Sequence, residues 1–173
     1  TWGSLEFQPY FTANASNIGY NWWSHDIGGH IYGDRNDERV TRWVQFGVFS
    51  PIMRLHSTNN DFQSKEVWLY NKEAESAMSD FLRLRHRLIP YLYTMNYRAY
   101  KEGLPLMLPL YYYSTDDLAY EYNQNEYWFG SEMIVAPITS PMSEVTLRGS
   151  VNVYLPDGMW FDLFTSHSYK GGR

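Results

Sequence analysis

The spacing of apolar residues changes character once along this chain, near residue 104, and that change limits the folds open to it. Residues 72–101 carry Met78, Phe81, Leu82, Leu88, Ile89, Leu92 and Met95 at helical spacing, with Arg83, Arg85 and Arg87 mainly off that stripe. Pro90 should kink or split this helix, and Gly103 followed by Pro105 should end it. Upstream, residues 2–16 read as a helix with Leu5, Tyr10 and Phe11 toward a core, weakened by Pro9. Ile18 to Trp23 reads as a buried strand, 24–36 as a Gly-rich loop, and 38–48 as a helix capped by Asp37. Val48 to Leu55 reads as a second strand ending at His56, followed by a loop over 57–66. After Pro105 only short runs remain: 106–113, 126–129, 132–138, 144–147, 151–155 and 159–164, separated by turn residues. The expectation is α/β structure up to about 104 and an antiparallel sheet or sandwich beyond it.

Composition narrows the partners. A net charge of −5 with scattered Lys and Arg argues against nucleic acid. No stretch approaches the roughly 20 apolar residues of a membrane span, so no membrane partner is expected. The absence of cysteine excludes disulfides and thiolate metal sites without assigning a compartment. Aromatics make up 18% of the chain, mostly Tyr and Trp. Such rings offer a flat apolar face with a polar handle, which suits sugars; β-sandwiches are also Tyr-rich, so composition leaves both readings open. Thr1-Trp2-Gly3 leads straight into an amphipathic stretch with no initiator Met, and the chain reads as part of a longer one.

Three polar clusters follow predicted strands: Ser24-His25-Asp26 with Gly28-Gly29-His30, then Asp34-Arg35-Asn36-Asp37, then Arg54-Leu55-His56. In α/β folds the carboxyl ends of strands carry the working loops. Each cluster also has a structural reading, since a buried His readily finds partners and Gly-Gly is common in turns. His25, Asp26, His30 and His56 are possible metal ligands, although the spacing of His25 and His30 does not match a helical HExxH. Adjacent Ser, His and Asp do not make a catalytic triad.

Longer segments carry more information. Trp23-Ser24-His25-Asp26-Ile27-Gly28-Gly29, Thr41 to Gly47, and Phe49-Ser50-Pro51-Ile52-Met53-Arg54-Leu55-His56 resemble glycoside hydrolase family 31. The likeness continues through Leu88 to Tyr93, Phe129-Gly130, Ala136-Pro137 and Val153 to Asp162, in order along the chain. It implies an α/β fold in which residues 1–103 are the carboxy-terminal portion of a (β/α)8 TIM barrel. Residues 104–173 would be most of the β-sandwich domain that follows. The implied activity is retaining hydrolysis of terminal α-linked sugars, glucose first, with α-xylosides, α-galactosides or α-N-acetylgalactosaminides as alternatives. A non-catalytic carbohydrate-binding homologue and a metal hydrolase are the other readings.

The same resemblance implies what each residue does. Retaining glycosidases use two carboxyl groups about 5–5.5 Å apart. The family's nucleophile motif does not occur in this sequence, and its acid/base Asp would fall about four residues before Thr1. No catalytic residue is therefore expected within residues 1–173, whose partner in catalysis is the remainder of the parent polypeptide. The implied chemistry needs no cofactor and no metal. Asp26 matches a family Asp that binds sugar hydroxyls in the −1 subsite, and His56 matches a His with a similar role. Arg54 either orients a site carboxylate or is structural. Trp23 and Trp43 belong to the wall or the core. His30 stands where many family members carry Phe or Tyr, on the wall near the leaving group, so it is the residue expected to alter linkage or sugar preference.

Overall fold

The computed structural model describes residues 1–29, 34–59 and 63–173. Helix α1 spans Trp2–Ala15, and the Thr1 hydroxyl oxygen caps it by accepting from the Ser4 amide at 3.1 Å. Leu5, Pro9, Thr12 and Ala13 repeat at helical spacing and form its buried face. Tyr10, expected in the core, is exposed because it lies one step around the helix from Pro9.

The expected strand at Ile18–Trp23 does not form. A 3-10 turn over Ser16–Ile18 follows α1 directly, and Gly19 at φ +86 turns the chain where an extended run would have to continue. Ile18 and Trp22 remain exposed. Pairing starts later and is parallel: Ser24 bridges Ile52, and Ile27 bridges Leu55. The Ile52 amide donates to the Trp23 carbonyl at 3.1 Å, and the Ile27 amide donates to the Arg54 carbonyl at 3.2 Å. Two extended segments thus lie side by side, joined by a helix, which is the connection parallel strands require.

That helix, α2, spans Asp37–Val48. Its cap is Asn36, whose side-chain oxygen accepts from the Arg39 amide at 2.7 Å, and not Asp37. Asp37 sits in the first turn, where a carboxylate suits the positive end of the helix. Helix α2 absorbs Val48, so only Ile52 and Leu55 of the expected second strand pair. Gly47 lets α2 approach the first extended segment, since a Cβ there would overlap the Ile27 side chain.

Helix α3 spans Lys72–Arg87 and α4 spans Ile89–Glu102. Pro90 splits them: it lies in the first turn of α4, where its missing N–H leaves no bond unmade. Gly103, at φ +71, ends α4 and donates its amide to Ala99. Beyond it, β1 (Met107–Pro109), β2 (Tyr127–Phe129) and β3 (Met133–Val135) form an antiparallel sheet in that order. A hairpin follows, with β4 (Met159–Phe161) antiparallel to β5 (Ser168–Lys170).

Helix α5 (Asp117–Tyr122), capped by Asp116, was not expected, because its acidic start reads equally well as a turn. The runs 144–147 and 151–155 form no strand. In the first of them, the Ser143 hydroxyl accepts from the Val145 and Thr146 amides and curls the chain into a local turn.

Alternation along β1 and β2 serves two cores. Met107, Tyr127 and Phe129 join Leu5, Ile27, Val44, Phe46 and Met78 in one buried cluster. Leu108 and Trp128 face a second, with Leu110, Ala119 and Tyr154. The main core is therefore continuous from α1 and α2 into the sheet.

Candidate functional site

The two parallel segments end beside each other, and their alternation sorts the side chains. Ile27 is fully buried and Leu55 packs against the main core. Asp26, Arg54 and His56 are each one residue away from them and so take the other face. There the Arg54 guanidinium donates to the Asp26 carboxylate in a close ion pair. The two side chains are 50% and 36% exposed, and a pair that wet contributes only about 0–1 kcal/mol to stability. His56 is half-buried and lies two residues along the strand from Arg54.

Immediately after Asp26 the chain turns tightly. The Gly29 amide donates to the Asp26 carbonyl at 2.9 Å, and Gly28 and Gly29 take φ values of +94 and +86 that favour glycine. The Lys65 side chain runs across Gly28 so closely that a Cβ there would sit 2.8 Å from its Cδ and Cε. Burial, followed by the Arg39 charge, lowers the Lys65 pKa. This cation beside the Asp26 loop has no signature in the sequence, where 57–66 reads only as polar loop.

His25 faces the opposite way from its neighbour Asp26. It is buried, with Nδ1 2.9 Å from Gln8 Oε1 and Nε2 3.3 Å from Thr12 Oγ1, both on α1. Its ring lies 4.8 Å from that of Phe46. Burial lowers its pKa to about 4 against the pull of Asp26, so the imidazole is neutral at pH 7. The Ser24 hydroxyl is buried with no hydrogen-bond partner among the described residues, so it is not engaged by His25. Among the described residues no three His, Asp or Glu side chains converge as a metal site would require.

The Trp23 carbonyl belongs to the bridge with Ile52, and its indole packs edge-on to Phe11 at 4.8 Å and tilted against Tyr20 at 5.9 Å. Trp43 is a core residue. His30 lies outside the described residues. The cluster at 34–37 is occupied structurally: Arg39 binds the Asp34 carboxylate at 2.7 Å, and Arg35 lies 4.9 Å over the Tyr70 ring.

The model of the glycosyl hydrolases family 31 TIM-barrel domain matches residues 1–95, and that of the glycosyl hydrolase family 31 C-terminal domain matches residues 103–173. Neutral alpha-glucosidase C of Mus musculus is 32% identical over 99% of this chain and 18% of its own length. An alpha-xylosidase of Saccharolobus solfataricus is 32% identical over 99% of this chain and 23% of its own. The crystal structure of a family 31 alpha-xylosidase from a soil metagenome, complexed with xylose, superposes with a TM-score of 0.88. It is 32% identical and covers all of this chain and 28% of that one. The chain spans about a fifth of the length of these curated relatives.

Proposed function

The chain belongs to glycosyl hydrolase family 31, and we propose that the protein it comes from is a retaining α-glycosidase that releases terminal α-linked glucose from oligosaccharides. In this reading residues 1–103 are the end of the catalytic barrel and 104–173 most of the β-domain that follows. The nucleophile and the acid/base are Asp residues upstream of Thr1, and residues 1–173 alone are inactive. One upstream Asp attacks the anomeric carbon; the other protonates the leaving oxygen and then activates water.

The observation that carries the reading is the Asp26–Arg54 pair at the ends of two adjacent parallel segments. A carboxylate accepts hydrogen bonds from two neighbouring sugar hydroxyls, and such charge-assisted bonds are the stronger kind. Arg54 holds Asp26 in one orientation for them. His56 contributes a further donor from the same strand. Trp23 supplies aromatic wall, and His30, in place of the Phe or Tyr of many family members, biases linkage. Bonds that tighten as the ring flattens in the transition state lower the barrier itself.

Asp26→Ala in the full-length protein tests this on a nitrophenyl α-glucoside. Losing one or two charge-assisted bonds, each worth about 1.5–3 kcal/mol, should lower kcat/KM by about tenfold or more. Unchanged kinetics would refute the role given to Asp26. A second reading, hydrolysis of α-xylosides, is favoured by the alpha-xylosidases among the relatives. It holds if the unmodified protein cleaves nitrophenyl α-xyloside with the higher kcat/KM.

A further inference from the structure

The turn that launches the strand bearing Arg54 and His56 has an unusual hydrogen-bond economy. Helix α2 ends at Val48, and its last carbonyls have no partner within the helix. Val48 and Ser50 are fully buried and Phe49 and Pro51 nearly so, which leaves no water to satisfy them. Yet every carbonyl from Gly47 to Pro51 is taken. The Ser50 hydroxyl donates to Gly47 O at 2.7 Å. Arg85 donates to Val48 O at 2.6 Å, to Ser50 O at 2.7 Å and to Pro51 O at 2.9 Å. The remaining carbonyl, Phe49 O, accepts from the Tyr127 hydroxyl at 2.9 Å. One residue later the Ile52 amide donates to Trp23 O, and the parallel pairing begins.

Two features make this more than ordinary capping. Arg85 is a largely buried cation that, among the described residues, gives its hydrogen bonds to backbone carbonyls and none to a carboxylate. A planar fork of donors matches three carbonyls of one turn as a Lys ammonium would not. Tyr127 comes from β2, some 78 residues away in sequence, and is fully buried. The turn is thus gripped from α3 on one side and from the sheet on the other.

We infer that Arg85 and Tyr127 are positioning residues for the sugar site: together they set the turn from which Arg54 and His56 depart, and Tyr127 makes the β1–β3 sheet part of the catalytic apparatus. Arg54 lies only three residues past Pro51, with the Ser24–Ile52 bridge between them. A displacement of about 1 Å in groups that orient a substrate is enough to lower a rate about a hundredfold. The inference rests on the roles proposed for Asp26, Arg54 and His56.

The test uses the full-length protein, the nitrophenyl α-glycoside it cleaves best, and a temperature at which circular dichroism shows every variant folded. Tyr127→Phe removes one oxygen and nothing else. It should lower kcat/KM about tenfold or more, with the larger share in kcat. Tyr154→Phe is the control. It removes a comparable hydroxyl bond, to Asp116 at 2.7 Å, in the same region without reaching the turn, and should leave kcat/KM unchanged. If Tyr127→Phe lowers only the melting temperature, or if Tyr154→Phe lowers kcat/KM equally, the inference is overturned. Should Tyr127→Phe fail to fold, Arg85→Lys, which keeps the charge and loses the fork, is judged by the same criterion. His56→Ala separates the two levels of argument: if it too leaves kinetics unchanged, the site reading itself fails, whereas a loss there beside a normal Tyr127→Phe overturns the positioning roles alone.

Discussion

Glu126 should make this protein less stable as the pH rises through neutrality. The side chain is 1% exposed. Its Oε2 accepts from the Tyr154 amide at 2.9 Å, while Oε1 is buried with no hydrogen-bond partner among the described residues. Burial pushes the pKa from 4.5 up to about 8, only partly opposed by the Tyr154 amide. Below pH 4.5 the carboxyl is neutral in both folded and unfolded chains, so folding carries no electrostatic cost there. Above that pH the unfolded chain releases its proton and the folded one does not, and stability falls until the folded group also ionises near pH 8. Each unit of difference is worth about 1.4 kcal/mol, which gives a loss of at most about 4 kcal/mol by pH 8. Glu126→Gln keeps the shape and the acceptor for Tyr154 but cannot titrate. Thermal unfolding of both forms of the full-length protein should give similar midpoints at pH 5. By pH 8 the Gln form should melt at the higher temperature, because it does not carry that loss. An offset between the two that stays constant from pH 5 to pH 9 would show that Glu126 is not held neutral by its surroundings.

His25 acts in the opposite direction. Its folded pKa of about 4 lies below the ordinary 6.5, so its contribution is complete above pH 6.5 and about 3 kcal/mol is lost by pH 4. Ring carbon shifts in labelled protein should titrate with a midpoint near 4; a midpoint near 6.5 would place the imidazole in water instead of between Gln8, Thr12 and Phe46. Gly47→Ala should destabilise by about 1–3 kcal/mol despite the better helix propensity of Ala, because its Cβ overlaps Ile27. Urea unfolding reads this directly, and a higher midpoint for the Ala form would contradict the close approach of α2 to the first extended segment.

Much of the fold is legible where a local rule acts without competition. Pro90 and Gly103 punctuate α3 and α4 as their chemistry dictates. The short runs at 126–129 and 132–138 yield β2 and β3 because Tyr127, Phe129 and Trp128 alternate between two cores. The failures come where apolar composition imitates a strand. Ile18 to Trp23 and Val48 to Leu55 are apolar enough for strands. Gly19 turns the first, and the end of α2 consumes part of the second. In the second case, a buried turn and a buried strand demand the same side chains; they differ only in where the backbone hydrogen bonds go, and those partners come from elsewhere in the sequence.

The site divides along the same line. Asp26 and Arg54 come together as their positions after paired segments suggest, and His56 shares their face. His25 carries an equally polar name but belongs to the core, because one step along an extended chain reverses the side on which a residue lies. Arg85 shows which signal was available. Unlike Arg83 and Arg87, and against the expectation that all three lie mainly off the stripe, it stands seven residues after Met78, four after Phe81 and three after Leu82, and so falls on the apolar stripe of α3. A guanidinium there must be buried, and a buried cation must find acceptors or be expelled. With no carboxylate on the stripe to receive it, the acceptors have to be carbonyls that some other element leaves unpaired, and the end of a helix is where such carbonyls accumulate. The pattern therefore contains the demand for a partner like the turn at Gly47–Pro51, although not its address. Tyr127 carries no comparable mark, since an aromatic in a buried strand is unremarkable until its hydroxyl is seen to reach Phe49. Residues that position a site from a distance are legible only when their burial conflicts with their chemistry.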